Sequence, residues 1–139
     1  MLPLSVSIID KIAWLRFDGS GRILSTRSHG KSAYYLPGGK REPGETDEQT
    51  LLREIHEELT VELLPATLSP AGTFEAQAHG HATGVRVRMT CYFAEYRGTI
   101  RPAAEIAEVV WLTYRNRHQV SPVDQLIFDS LYGDGFLAD

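Results

Sequence analysis

Gly38-Gly39-Lys40-Arg41-Glu42-Pro43-Gly44-Glu45, followed by Thr46-Asp47-Glu48-Gln49-Thr50-Leu51-Leu52-Arg53-Glu54-Ile55-His56-Glu57-Glu58-Leu59, is the stretch on which the reading of this chain turns. Its glycines and Pro43 mark a loop. Thr46 then offers an N-cap hydroxyl, and Gln49 three residues later completes a capping-box pattern. Asp47 and Glu48 fall in the first turn, where the helix dipole favours acids. The pattern predicts a helix running to about Leu59. On a wheel of about 100° per residue, Leu51, Leu52, Ile55 and Leu59 share one arc. Glu54, Glu57 and Glu58 share another. Their spacing is i, i+3, i+4, so Glu54 is a surface neighbour of both others.

Three carboxylates on one patch oppose stability. An exposed like-charge pair on a helix costs about 0.2–0.5 kcal/mol. A partly buried pair, at roughly 6 Å and an effective dielectric near 20, approaches about 3 kcal/mol. Arg53 reaches Glu57 at i+4, but one arginine does not balance three acids. Two readings follow from the residues: a solvated acidic helix face, or a seat for a hard divalent cation. Magnesium prefers carboxylate oxygens and keeps waters or substrate phosphates as its remaining ligands. In that reading one carboxylate stays free to take a proton.

Working outward, Ser5 to Phe17 reads as a strand, Asp18-Gly19-Ser20-Gly21 as a turn, and Arg22 to Ser25 as the returning strand of a hairpin. Arg27 to Ser32 reads as a loop, and Tyr34-Tyr35-Leu36 as a short strand stopped by Pro37-Gly38-Gly39. Beyond the helix, Pro65 and Pro70 interrupt the chain. Thr73 to Gln77 and Val85 to Tyr96 are predicted strands joined through His79 to Gly84. Val85, Val87, Met89, Cys91 and Phe93 alternate with Arg86, Arg88, Thr90 and Tyr92, the period of a half-buried strand. Glu108 to Thr113 is a further strand. Ser121 caps a last helix, with Pro122 at its first position and Asp124 as box partner, ending near Gly133. The order of strands, helix, strands, helix argues an α+β domain with helices packed on a sheet.

The 139 residues fit one domain spanning the chain, 1–139. With 42% hydrophobic and 23% charged residues, the composition is that of a soluble globular domain and excludes disordered, collagen-like and coiled-coil chains. No run approaches the roughly 20 apolar residues of a membrane helix. Met1 to Ser5 carries no basic leader pattern, so no secretory signal is expected. The net charge of −4 speaks against a stable nucleic-acid partner. It also asks what would offset repulsion if the chain handles phosphate, and a bound cation is one answer. Cys91 is the only cysteine, which excludes an intrachain disulfide and a cysteine-built zinc site, with a cytoplasmic setting as the default.

Read from Gly39, the chain runs Gly39, five residues, Glu45, seven residues, Arg53-Glu54-Ile55, one residue, Glu57-Glu58, Leu59, Thr60, Val61. This resembles the signature box of the Nudix hydrolases, of MutT-like type, at every position except Thr60, where the family has glycine. Leu36-Pro37-Gly38 and the strand ending in Trp111 also look familiar. The resemblance implies an α/β/α sandwich with a mixed sheet between helices. It implies hydrolysis of a diphosphate linked to another moiety, usually a nucleoside, with Mg2+ or Mn2+. Glu54, Glu57 and Glu58 would be metal ligands, and Arg53 would orient them. Gly39 would let the loop pass closely by the substrate or helix. Glu45 would hold the loop against the helix start. Glu105 is favoured over Glu108 as an extra metal ligand or catalytic base. Glycine suits the left-handed conformation that ends a helix, whereas a β-branched threonine disfavours positive φ. The helix is therefore expected to end differently or to carry strain, with activity surviving.

Lys40, Arg27 and Lys31 surround the box and are candidate phosphate contacts, each weighed against a plain solvated base. Tyr35, or its neighbour Tyr34, is a candidate base-stacking ring. His79 and His81 are weaker candidates for the pocket, and His56 is expected to be exposed. Arg86 and Arg88 read as a surface stripe and Cys91 as inert core. The expected substrate is a small-molecule nucleotide: a nucleoside triphosphate cleaved to the monophosphate and pyrophosphate. That expectation takes the short sequence to be without the N-terminal extension common in ADP-ribose pyrophosphatases and without the extra motif of coenzyme A and NADH hydrolases. Alternatives are an ADP-ribose or nucleotide-sugar pyrophosphatase, a non-hydrolysing nucleotide-binding module, and an RNA 5′-pyrophosphohydrolase. A monomer or homodimer is expected.

Overall fold

The computed structural model describes residues 7–139. The predicted start of the first strand at Ser5 and the reading of Met1 to Ser5 lie outside the described residues. β1 (Ser7–Leu15) is the axis of the fold. Ile12, Ala13, Trp14 and Leu15 are all buried, so this half of the strand is covered on both faces. Ile12 and Trp14 pack with Leu51, Ile55 and Leu59 of α1 (Asp47–Leu59). Ala13 and Leu15 pack with Ile127, Phe128 and Leu131 of α2 (Pro122–Gly133). The two helices therefore lie on opposite sides of the sheet.

β1 pairs antiparallel with β3 (Gly38–Lys40) and parallel with β6 (Val85–Phe93), which pairs antiparallel with β5 (Ser69–Gln77). The mixed sheet has the order β3-β1-β6-β5. β2 (Ile23–Ser28) and β8 (Ile106–Leu112) form a separate antiparallel ribbon, as do the short β4 (Glu62–Leu63) and β7 (Tyr96–Arg97). This is the helix-flanked mixed sheet that the motif implied.

Several local expectations are corrected. β2 does not return along β1 as a hairpin. The backbones meet at the turn, where Phe17 bridges Ile23 and the Leu24 N–H donates to the Arg16 carbonyl at 2.9 Å. Both edges of β1 are already taken by β3 and β6, so β2 pairs with β8. Arg27, placed in a loop by its polarity, lies in β2 opposite Glu108. Tyr34 and Tyr35 form isolated bridges, and the strand forms at Gly38–Lys40 instead. There a Cβ on Gly38, at φ 144°, would strike the Ile12 carbonyl, so only glycine lets the backbone lie this close to β1. The strand from Val85 stops at Phe93, and β5 begins earlier than Thr73, with a bulge between Pro70 and Gly72.

The helix boundaries follow the capping residues. The Gln49 N–H donates to Thr46 Oγ1 at 3.1 Å and the Thr46 N–H to Gln49 Oε1 at 2.9 Å, closing the capping box. Thr60 adopts φ 61° and ψ 19°, so α1 ends in the left-handed turn that glycine usually makes. Ser121 and Pro122 open α2 as predicted, but Asp124 is not a capping partner. It is fully buried, and its Oδ2 accepts the Leu36 N–H at 2.8 Å, which ties the segment before β3 to α2.

Candidate functional site

β3 and α1 meet where a side chain is missing. A Cβ at Gly39 would collide with the Glu54 carboxylate. The Gly38 N–H donates to Glu58 Oε1 at 3.0 Å. The paired glycines thus admit two helix carboxylates to the backbone of the sheet edge.

Arg53 fastens the loop to the helix. Its Nε and Nη2 donate to the two Glu45 oxygens at 2.7 and 2.9 Å, a bidentate pair. Nη1 donates to Glu54 Oε1 at 2.9 Å and lies 3.5 Å from Glu57 Oε2. The Lys40 carbonyl accepts from Nη2 at 3.2 Å. Glu45 also accepts from the Thr50 hydroxyl and the Glu42 N–H. The Arg53 guanidinium and the Glu42 N–H hold its carboxyl down at about 2. Arg53 is committed to orienting acids.

Glu105 arrives from the far end of the chain. The Leu59 and Glu58 carbonyls, left without partners at the end of α1, accept from the Arg101 and Ala103 N–H groups at 3.0 and 2.9 Å. Ala104 turns the loop at φ 53°, and the Glu105 carbonyl accepts from the His29 N–H at 2.8 Å. The loop that finishes α1 therefore carries Glu105 to the face that bears Glu54 and Glu58.

These groups line a cleft of about 440 Å³. Glu54, Glu58, Glu105, Gly39 and Lys40 form its acidic end, and Ile9, Leu36, Val87 and Met89 contribute apolar wall. Tyr35 and His79 meet edge-to-face with ring centroids 6.2 Å apart. Glu58 is only 6% exposed. Burial pushes its carboxyl up to about 9; Glu54 and Glu105 add to this and the Gly38 N–H opposes it. Burial also raises Glu54, with Arg53 opposing. Among the described residues no three His, Cys, Asp or Glu side chains already converge as a metal cage. The donors are nevertheless of one kind, crowded carboxylates running from the buried Glu58 to the exposed Glu105, which fits a hard divalent cation.

The cleft takes in Glu54, Glu58, Glu105, Gly39, Lys40 and Tyr35 from the sequence-based candidates, together with Lys31, His79 and His81. It leaves out two. Glu57 is half-exposed and outside the lining, beside Arg53. Arg27 is drawn aside to Glu108 at 3.5 Å and to the Lys31 carbonyl at 3.0 Å. Glu108 also accepts from the Tyr34 hydroxyl, and this bond holds its carboxyl down, so Glu108 is engaged elsewhere. His56 is exposed, Arg86 and Arg88 share Glu75, and burial pushes the Cys91 thiol up. Sequence reasoning passed over Lys11, Gln77 and the apolar wall. The available signal was Lys11 itself, a lone charge in the same strand phase as Ile9, Ala13 and Leu15.

A profile of the NUDIX domain matches residues 10–126. A search of curated proteins found no match. The fold is similar to the solution structure of the ORF135 protein of E. coli, at 24% identity over 94% of each chain, with a TM-score of 0.73. It is similar to a MutT protein from Methanosarcina mazei Go1 at 18% identity, over 96% of this chain and 99% of the other, with a TM-score of 0.76. A MutT NUDIX hydrolase from Burkholderia pseudomallei is 20% identical over 88% of this chain and 97% of its own, with a TM-score of 0.70. With the profile spanning most of the chain and Gly39, Glu54 and Glu58 of the signature lining one cleft, this protein belongs to the NUDIX family of hydrolases.

Proposed function

We propose that the chain hydrolyses a diphosphate bond in a nucleoside diphosphate derivative, with nucleoside triphosphates, cleaved to monophosphate and pyrophosphate, as the preferred class. Mg2+ or Mn2+ would be held by Glu54, Glu58 and Glu105, with Glu57 at the outer edge. One observation carries the reading: carboxylates from α1 and from the distant Glu105 loop meet in a cleft where Glu58 is almost fully desolvated. A divalent cation bound there neutralises charge on the phosphate oxygens and lowers the pKa of bound water.

The chain's own groups do the rest. The Gly38 N–H and Arg53 fix the two helix carboxylates, so they need not reorganise when substrate arrives. Glu105, which lines the same cleft from the loop that packs on the end of α1, would serve as a further metal ligand or as the base that takes the proton of the attacking water. Lys40 supplies positive charge for a phosphoryl group. Ile9, Val87 and Met89 offer the apolar wall that a nucleobase needs, with the Tyr35 ring beside it.

Pyrophosphate release should be followed with Mg2+ across nucleoside triphosphates, nucleotide sugars and ADP-ribose. Triphosphates are expected to turn over. Turnover of ADP-ribose alone overturns the substrate class. Nucleotide binding without turnover on any of them, with metal present, makes the chain a binding module. Glu58→Gln should lower kcat by at least about a hundredfold, and retained turnover contradicts the metal assignment.

A further inference from the structure

Lys11 is a cation that forms no ion pair among the described residues and faces the Tyr35 ring. It lies on β1 in the phase of Ile9, Ala13 and Leu15, which faces α2, and it lines the cleft. Among the described residues it makes no hydrogen bond and no ion pair, and no carboxylate oxygen comes within the 4.0 Å of a salt bridge. Its nearest notable neighbour is the Tyr35 ring, with Nζ 5.8 Å from the centroid. Its cross-strand partner on β3 is Lys40 and on β6 is Met89. Like charges directly opposite on a sheet are destabilising, and a cation removed from water needs a counter-charge. Burial accordingly lowers the Lys11 pKa, and Lys40 lowers it further, while Asp124, Glu58 and Glu54 oppose from a distance. The compensation the fold offers is indirect: the Tyr35 ring and the buried Asp124, whose Oδ1 has no hydrogen-bond partner among the described residues, offset the charge without an ion pair, at a position where Met89 and Ile9 show that an apolar side chain fits.

The position supplies an explanation. In register, Lys11 stands between Met89, on the apolar wall, and Lys40, at the acidic end. A substrate with an organic moiety on the apolar wall and a phosphate chain among the carboxylates would lay its joining phosphoryl group over Lys11. Building on the hydrolase reading above, we infer that Lys11 is a substrate-binding residue whose ammonium receives the phosphoryl oxygens attached to the nucleoside. Lys11 and Lys40 together then form an anion seat distinct from the carboxylate cluster. Bound phosphate would screen the two lysines from each other and supply the direct counter-charge that Asp124, Glu58 and Glu54 give without forming an ion pair.

Calorimetric titration of the metal-free chain with the four nucleoside 5′-monophosphates and their matching nucleosides tests this without requiring turnover. In Lys11→Met, monophosphate affinity should fall roughly tenfold while nucleoside affinity stays unchanged, and Lys11→Arg should keep most of the monophosphate affinity. The melting temperature of Lys11→Met should equal or exceed that of the wild type, because a desolvated charge has been removed. Equal losses for nucleoside and monophosphate, no loss for either, no monophosphate binding by the wild type, or a clear fall in melting temperature would each overturn the assignment. If the wild type hydrolyses no diphosphate yet shows the Lys11-dependent phosphate contribution, the hydrolase reading fails and the anion seat stands. Normal turnover with an indifferent Lys11→Met is the reverse case.

Discussion

Glu45 and Arg53 are eight positions apart, and their bidentate contact holds the loop between β3 and α1 to the helix. The Glu45 carboxyl titrates at about 2 when folded, against an ordinary value of 4.5, chiefly because Arg53 stabilises the ionised form. A depressed acid contributes stability above the unfolded pKa and loses it as pH falls toward the folded one. Glu45→Gln should therefore be less stable than the wild type at neutral pH, with the gap closing between about pH 4.5 and 2. Urea midpoints measured across that range decide it, and a gap that does not change with pH contradicts the account. The roles of both residues were legible by resemblance to the family signature. The i+4 spacing foretold the Arg53–Glu57 contact, but not that Glu54 and the Lys40 carbonyl share the same guanidinium.

At the scale of elements, α1 shows what local chemistry controls. Its start is written in Thr46 and Gln49, whose reciprocal bonds form within one turn. Its end conflicts with local preference, since Thr60 takes positive φ. The Thr60 hydroxyl donates to the Thr99 carbonyl at 3.2 Å, and the loop beyond caps the helix carbonyls, so tertiary contacts impose the conformation. A side chain in this region costs about 1–2 kcal/mol, from which glycine's greater unfolded-state entropy subtracts roughly 0.5–1 kcal/mol. Thr60→Gly should thus gain about 0.5–1 kcal/mol in denaturant unfolding. A loss of stability would show that the Thr60 hydroxyl bond outweighs the strain. Strand pairing was the least legible level. β3 is three residues long and contains two glycines, so it carries no alternation to read. β2 was misassigned because the turn before it looks like a hairpin turn, while its true partner β8 lies far along the chain.

For the whole molecule, a metal held by the crowded acids, as proposed, would make folding and metal binding interdependent. An ion that binds only the native state stabilises it by about 2.7 kcal/mol at a hundred times its dissociation constant. Saturating Mg2+ or Mn2+ should raise the melting temperature of the wild type by several degrees and leave Glu58→Gln unmoved. An equal rise in both would place the ion elsewhere. The sequence by itself determined α1, its buried stripe, the carboxylate row and the family signature, because each depends on contacts within a few turns of one helix or on a spacing that can be counted. Only the tertiary structure decided that Glu105 shares a cleft with Glu54 and Glu58, that Glu57 and Arg27 stay outside it, and that Lys11 lies inside it. Those juxtapositions depend on which strand edges were left open for pairing and on which loop reached the unpaired carbonyls of α1, and neither is encoded in any local periodicity.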